Sequence, residues 1–94
     1  MKAIQFSAID QVELIETKEP EILNSKDVKI KVINSGICSS DLAGLHGTNR
    51  RRKPPLISGH EAAGIVWEIG SDVTSVSVGD RVTIEPQYGC GHCI

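Results

Sequence analysis

The sequence predicts a mainly β fold: a small barrel of short strands with one short helix. Two observations favour it. β-branched residues alternate with polar residues in several short segments, as in half-buried strands. Gly, Pro and Asp separate these segments at short intervals, as turn residues do in small β-barrels. A third observation excludes a dinucleotide-binding domain from this sequence, because it shows neither alternating strands and helices nor a GxGxxG turn.

The N-terminal part is predicted to contain a hairpin followed by a separate strand. Residues 2–8 form the first strand and residues 12–17 its partner, across a turn at residues 9–11. Pro20 then interrupts the pattern, since proline donates no ladder hydrogen bond. Residues 27–35 form the next strand, in which valine and isoleucine alternate with lysine, and we expect one of its faces to be buried.

The remaining elements are predicted to be a short helix and further strands. Ser39 or Ser40 can cap a helix over residues 41–45, which a polar loop at residues 46–55 follows. The strand-like segments after this loop are residues 62–69, 73–78 and 81–85. Gly64 lies inside the first of them and predicts a bulge or a close approach of two backbones.

Composition limits the class of protein. The chain has 94 residues, enough for one domain, with 39% hydrophobic and 23% charged residues. A net charge of −2 gives no general attraction to nucleic acid or to an anionic membrane. No apolar run approaches the roughly 20 residues that span a bilayer, and the N-terminus lacks the apolar segment of a signal peptide. The expected location is the cytoplasm.

The strongest chemical signal is a candidate metal site formed by Cys38, His60 and Glu61. Cys38 lies in the segment GICSSD (36–41), and the other two lie in GHEAAG (59–64). Thiol, imidazole and carboxylate groups are the donors that zinc prefers, and a set with at most three protein ligands leaves a position open, as catalytic zinc sites do. Taken singly, the same residues also suit a buried structural cysteine, a hydrogen-bonded core histidine and a solvated surface glutamate.

Two neighbours of Cys38 extend this hypothesis. Asp41 can accept a hydrogen bond from the second ring nitrogen of a ligating histidine. Its alternative role is that of an exposed acid at a helix start, which stabilises by roughly 0.3–1 kcal/mol. Ser40 can relay a proton from an alcohol substrate, or it can simply cap the helix.

Cys90 and Cys93 form a C-x-x-C pair close to the end of the sequence. It suits half of a tetrathiolate zinc site, a redox dithiol, or two inert thiols. With 3 cysteines the chain has too few for a tetrathiolate site, so we expect a fragment whose remaining ligands lie beyond Ile94. The basic run Arg50-Arg51-Arg52-Lys53 has two interpretations as well, a solvated loop or a site that captures a phosphate or acid group of a substrate.

These motifs resemble the zinc-containing medium-chain alcohol and polyol dehydrogenases over the whole sequence. Residues 59–70, GHEAAGIVWEIG, are similar to the GHExxGxVxxxG signature of that family. Residues 36–41 resemble its G-I/V-C-x-S/T-D segment, and residues 79–82 its Gly-Asp turn. Residues 90–93 resemble the opening of its structural zinc lobe.

The resemblance implies a GroES-like, partly open β-barrel with one or two short helices, spanning residues 1–94. It implies catalytic zinc on Cys38 and His60, with Glu61 as a ligand or an exchangeable near-ligand. Ser40 would belong to the proton relay, and Asp41 would be the partner of His60. The reaction would be hydride transfer to NAD or NADP from a small alcohol or polyol whose hydroxyl the zinc polarises.

The resemblance also implies parts that this chain lacks. The cofactor would bind a Rossmann domain outside these residues, Cys90 and Cys93 would be half of a structural zinc site, and the complete enzyme would be a homo-oligomer. Glu85-Pro86 resembles the sorbitol and related polyol dehydrogenases. We expect the chain alone to be inactive and to hold zinc weakly or not at all.

One departure concerns the proton relay. Many family members carry a histidine where this sequence has Ala43, and His46 lies three residues further on. Either His46 takes over proton transfer or the relay ends in water. Zinc-free relatives such as quinone reductases usually lack the Cys and His-Glu residues, so the metal donors argue against that branch. The alternative to an enzyme is a free-standing GroES-like binding module.

Overall fold

The computed structural model describes residues 1–87 and 89–93, and within them the chain forms two antiparallel sheets and one helix. The elements are β1 (Lys2–Ala8), β2 (Gln11–Glu16), β3 (Val28–Ser35), α1 (Ser39–Leu45), β4 (Leu56–Ile57), β5 (Ala62–Ile69) and β6 (Arg81–Thr83). The strand order is β2-β1-β4 in the first sheet and β3-β5-β6 in the second. The predicted mainly β fold is therefore confirmed.

The first sheet is built on the predicted hairpin. β1 and β2 pair from Lys2 opposite Glu16 to Phe6 opposite Val12, and Asp10 turns the chain with a φ of 58°. The other edge of β1 carries β4, where Leu56 lies opposite Phe6. β4 was not predicted from the sequence, because two residues are too few to show an alternating pattern.

The second sheet contains the predicted close approach at Gly64. Gly64 lies opposite Val32 on the neighbouring strand. A Cβ atom at this position would lie 2.2 Å from the backbone oxygen of Lys31, well inside van der Waals contact. Only glycine therefore allows β3 and β5 to pair at this distance.

Two of the predicted strand ranges in this half are wrong. Residues 73–78 form no strand, although they alternate, because within residues 1–87 and 89–93 no neighbouring strand pairs with them. They belong instead to a connection closed by a hydrogen bond from the Gly79 N–H to the Val66 carbonyl (2.8 Å). The final strand ends at Thr83 rather than at residue 85, with one further hydrogen bond from the Ile84 N–H to Ala62 (3.0 Å).

The core formed by the described residues is small. Phe6 and Val66 are its buried hydrophobic side chains, with exposed fractions of 7% and 1%. Among the described residues, the predicted buried face of β3 is only partly covered, since Ile30 is half-buried but Val28 and Val32 remain 37% and 52% exposed. Alternation shows which side chains share a face, but not whether another layer covers that face. Among the described residues, no helix has the length and apolar character needed to cross a bilayer.

Candidate metal centre

The pairing of β3 with β5 brings the two chemical motifs together. The strands are antiparallel, and Ser35 at the end of β3 lies opposite Ala62 at the start of β5. The Gly36 N–H continues the ladder with a hydrogen bond of 2.7 Å to the Glu61 carbonyl. Cys38 follows one strand and His60 precedes the other, so both residues lie at the same edge of the sheet.

Three of the predicted metal donors form one cluster, which we call the donor cluster. It consists of the Cys38 Sγ, a ring nitrogen of His60 and a carboxylate oxygen of Glu61, all within 4.8 Å of one another. Gly36 makes room for the carboxylate, because a Cβ atom there would lie 2.8 Å from the Glu61 Oε2. Cys38 and His60 are partly buried, whereas Glu61 is exposed.

The donor cluster fits a zinc ion. Zinc–ligand bonds of about 2.0–2.3 Å in a tetrahedron place neighbouring donors roughly 3.3–3.8 Å apart. The observed separation of up to 4.8 Å is only slightly larger. The set of one sulfur, one nitrogen and one oxygen donor also matches the ligand types that zinc takes in proteins.

Cys38 is prepared to bind metal as a thiolate. The side-chain hydroxyl of Ser40 and then its backbone N–H lower the pKa of the Cys38 thiol below its ordinary value, and His60 contributes in the same direction. Burial and Glu61 oppose this change in pKa more weakly. A lower pKa increases the fraction of thiolate, which is the form that binds metal and acts as a nucleophile.

Asp41 is a buried carboxylate that hydrogen-bonds several residues around the donor cluster. Its exposed fraction is 5%, and it is the buried charged residue among those described. It accepts hydrogen bonds from the Cys38 N–H (3.0 Å), the Ser58 hydroxyl (2.8 Å) and the Arg52 Nη1 (2.9 Å). The alternative role of an exposed helix-start acid is therefore wrong, because these donors enclose the carboxylate.

The contacts of Asp41 keep it ionised. Burial raises the pKa of this carboxyl group. The hydrogen bonds from Cys38 and Ser58 lower it, as do the charges of the neighbouring groups, His60 and Arg52. The lowering effects are larger together, and the net pKa lies below its ordinary value. A charged carboxylate thus lies next to the imidazole of the donor cluster.

The two ring nitrogens of His60 have different neighbours. The Nδ1 lies 3.4 Å from the Asp41 Oδ1 and 3.2 Å from the Arg52 Nη2, and the Nε2 lies 3.4 Å from the Ser40 Oγ. A metal ion on the Nε2 requires the proton on the Nδ1, where Asp41 can accept it. An Arg52 N–H can donate to the Nδ1 only in the other tautomer. Metal binding therefore selects Asp41 over Arg52 as the partner of the ring.

The two candidate relay residues lie at opposite ends of α1. Ser40 lies in the first turn, beside the donor cluster. His46 is the C-cap residue, and its Nδ1 hydrogen-bonds the exposed Asp10. A helix of 7 residues is about 10 Å long, so His46 does not join the donor cluster. This placement favours a relay that passes from Ser40 to water.

The prediction that Ser39 or Ser40 caps the helix is wrong. Cys38 is the N-cap residue, and α1 already begins at Ser39. The reason is that the Asp41 carboxylate reaches back to the Cys38 N–H, which is one half of a capping box. The Ser40 hydroxyl is thereby left to contact His60.

Sequence reasoning missed the roles of Arg52 and Ser58. Both bind Asp41, and Arg52 also approaches His60, although it belongs to the run that was interpreted either as a solvated loop or as a substrate-binding site. Arg52 is only 31% exposed. A buried acid needs a cation or several donors, so a search for a partner of Asp41 among the basic residues before His60 would have found it.

Cys90 and Cys93 are not part of the donor cluster. Both are exposed, and their Sγ atoms lie 3.1 Å apart. The Cys93 thiol, followed by the backbone N–H groups of His92 and Cys93, lowers the pKa of Cys90 to about 7. The pair thus presents two close sulfur donors with a readily formed thiolate. The remaining ligands of the expected structural zinc site would lie beyond Ile94, which is outside the described residues.

Comparison with known proteins identifies the family of the chain. Residues 24–94 match the family model of the alcohol dehydrogenase GroES-like domain. A zinc-type alcohol dehydrogenase-like protein of Bacillus subtilis is 41% identical over 93 residues, 99% of this chain and 25% of that protein. D-arabitol-phosphate dehydrogenase of Enterococcus avium is 42% identical over 90 residues, 95% of this chain and 25% of that protein.

A solved structure shows the same fold. It is described as a zinc-binding dehydrogenase from Sinorhizobium meliloti 1021 bound to NADP, and it has a TM-score of 0.85 and 36% identity. The match covers 98% of this chain and 26% of that chain. The chain therefore spans about a quarter of the length of the proteins it resembles, and it belongs to the alcohol dehydrogenase GroES-like domain family.

Proposed function

We propose that this chain is the zinc-binding and substrate-binding N-terminal domain of an alcohol or polyol dehydrogenase. The observation that carries the proposal is the donor cluster of Cys38, His60 and Glu61, whose donor atoms lie within 4.8 Å beside the ionised Asp41. The family match supports the same class of reaction. Relatives named as alcohol and polyol-phosphate dehydrogenases support an alcohol substrate.

Each residue of the site has a proposed role. Cys38 and His60 hold zinc, and Glu61 is a ligand or an exchangeable near-ligand. When bound, zinc polarises the substrate hydroxyl and lowers its pKa. Asp41 accepts the Nδ1–H of His60 and so fixes the orientation of the ring.

Ser40 is the proposed first acceptor of the substrate proton. Its hydroxyl lies 3.4 Å from the His60 Nε2, the ring nitrogen proposed to bind the metal, so it is close to where a metal-bound hydroxyl would lie. A serine hydroxyl can accept one proton while it donates its own, so a proton passes through it without a lasting charge. From Ser40 the proton leaves to water or, as the second possibility, by way of His46.

The hydride acceptor is proposed to be NAD or NADP, bound by a Rossmann domain outside these residues. Alcohol oxidation releases a hydride, and nicotinamide cofactors are the usual acceptors. Cys90 and Cys93 are proposed as two ligands of a separate structural zinc ion, because their sulfurs are 3.1 Å apart and exposed. The complete enzyme is proposed to be a homo-oligomer.

The experiment is an activity assay on the gene product that contains these residues. We expect alcohol-dependent reduction of NAD+ or NADP+ that a chelator abolishes and added zinc restores. Cys38→Ser should lower kcat/KM at least 1,000-fold, since it removes a ligand. Glu61→Gln should lower kcat/KM measurably. The control is Glu68→Gln, which changes another exposed glutamate, this one on β5, and should leave kcat/KM within twofold. A zinc-independent activity, or equal effects of the two glutamine variants, would contradict the proposal.

A further inference from the structure

A cavity of ≈ 630 Å³ is lined in part by Arg52, which contacts His60 of the donor cluster, and its walls carry positive charge. The charged lining residues are Arg50, Arg52 and Lys53, and Ser7 and Asn49 contribute polar groups. We propose that this basic cavity binds the phosphate group of a phosphorylated polyol, which would be the substrate of the site. The inference rests on the proposed function in one respect, namely that the alcohol is oxidised at the donor cluster.

Arg52 connects the basic cavity to the donor cluster. It lines the cavity, while its guanidinium group lies 2.9 Å from the Asp41 Oδ1 and 3.2 Å from the His60 Nδ1. The cavity is therefore no further from His60 than the length of one arginine side chain. A polyol chain of about six carbons is at least as long as this distance, so a molecule with its phosphate in the cavity is long enough to reach the donor cluster.

The cavity contains uncompensated positive charge. Asp41 neutralises Arg52, but no carboxylate pairs with Arg50 or Lys53 in the part of the chain that the structure describes. Asp10, which follows the lining residue Ile9 in the chain, is hydrogen-bonded to His46 instead. A phosphate monoester carries about −1.5 to −2 charges at pH 7, which matches two free cations. A neutral polyol has no group that requires them.

The local backbone separates the lining residues from their neighbour Arg51. The Asn49 Oδ1 accepts the Arg51 N–H (3.0 Å), and the Asn49 carbonyl accepts the Arg52 N–H (3.3 Å). This turn places Arg50, Arg52 and Lys53 on the cavity wall and leaves Arg51 off it. Three of the four basic residues therefore line the cavity and Arg51 does not, an arrangement that a solvated loop does not require.

Ser7 gives an independent indication of a missing partner. Its hydroxyl is the buried side-chain polar group that has no hydrogen-bond partner among the described residues, and Ser7 lines the same cavity. Leaving a buried hydroxyl unpaired costs about 1–3 kcal/mol. A phosphate oxygen in the cavity would give this hydroxyl an acceptor after a rotation of its side chain.

The test is an NMR titration of the ¹⁵N-labelled chain, without metal, against sorbitol 6-phosphate, sorbitol and methyl phosphate. We expect both phosphate monoesters to shift the amide signals of residues 47–53, and sorbitol to leave them unchanged. Arg50→Gln should weaken sorbitol 6-phosphate binding at least tenfold. Arg51→Gln removes the same charge from the same loop but off the cavity wall, and it should weaken binding less than twofold.

The outcomes separate this inference from the proposed function. Equal binding of sorbitol and its phosphate, or equal effects of Arg50→Gln and Arg51→Gln, would overturn the basic cavity as a phosphate site whatever the metal does. With one equivalent of zinc, sorbitol 6-phosphate should bind at least fivefold more tightly than methyl phosphate, because its hydroxyl reaches the donor cluster. Equal affinities in the zinc-loaded chain would overturn the assignment to a substrate. The metal-free comparison does not depend on zinc, so it tests the basic cavity separately from the proposed function even if the isolated chain binds zinc weakly.

Discussion

Replacing Asp41 with alanine tests whether one buried carboxylate organises the candidate site. The Asp41 side chain is 6% exposed, and its loss leaves the Cys38 N–H, the Ser58 hydroxyl and the Arg52 guanidinium without their acceptor. Losing a helix N-terminal side-chain bond costs about 1 kcal/mol, and losing a neutral hydrogen bond costs a similar amount. The charge-assisted bond from Arg52 is at the low end of about 1.5–3 kcal/mol, because Arg52 is 31% exposed and water can replace part of it.

These contributions are not additive, since all of them share one carboxylate. We therefore expect Asp41→Ala to lower the free energy of unfolding by about 3 kcal/mol, which is a large part of the stability of a chain of this size. The assay is urea-induced unfolding at pH 7 and 25 °C, followed by circular dichroism. Asp41→Asn keeps the volume and one acceptor oxygen, so its loss should be about half as large.

A surface aspartate provides the matched control. Asp72 is exposed, and Asp72→Ala should change the free energy of unfolding by less than about 0.5 kcal/mol. If Asp41→Ala also lies within this limit, the hydrogen bonds of Asp41 do not stabilise the site and the reasoning is refuted. A similar loss in both alanine variants would likewise show that the effect is general rather than local.

Three further predictions concern pH, thiol reactivity and backbone packing. Folding lowers the pKa of Asp41, so its stabilising contribution is present above the unfolded pKa of about 4 and is lost as the pH falls through the lower folded pKa. The free energy of unfolding should therefore differ less between pH 7 and pH 3 in Asp41→Asn than in the parent chain. The rate of Cys90 alkylation by iodoacetamide should be half-maximal near pH 7, because the pKa of Cys90 is about 7. Cys93→Ser should move this midpoint to higher pH, and an unchanged midpoint would contradict the role of the Cys93 thiol. Gly64→Ala should destabilise the chain by about 3 kcal/mol or more, because its Cβ would lie 2.2 Å from a backbone oxygen, whereas Gly89→Ala, with its nearest contact at 4.0 Å, should cost much less in the same urea assay.

The donor cluster could be predicted because its information is local in the sequence. Strand period and turn residues place Cys38 after one strand and His60 before another, and the two strands pair directly. The close approach at Gly64 was visible for the same reason, as an isolated glycine within an alternating run. Motif spacing then indicated which side chains form the donor cluster.

The remaining features depend on contacts that no local pattern encodes. Arg52 looks like any residue of a basic run until its guanidinium reaches Asp41 across the site. The alternation of residues 73–78 is identical to that of a strand, but a strand also needs a partner for its backbone hydrogen bonds. His46 is close in sequence to the expected relay position, yet α1 carries it to the far end of the helix.

The central claim, that Cys38 and His60 hold a catalytic metal ion, is tested most directly by cobalt binding. Co²⁺ substitutes for zinc, and a thiolate ligand gives it a charge-transfer absorption band. The titration uses a Cys90→Ser/Cys93→Ser variant, so that Cys38 is the remaining thiol of the chain. We predict weak binding with the band of a single thiolate, and loss of this band when Cys38→Ser or His60→Ala is added. A band that survives either change would contradict the account, because a group other than Cys38 and His60 would then hold the ion.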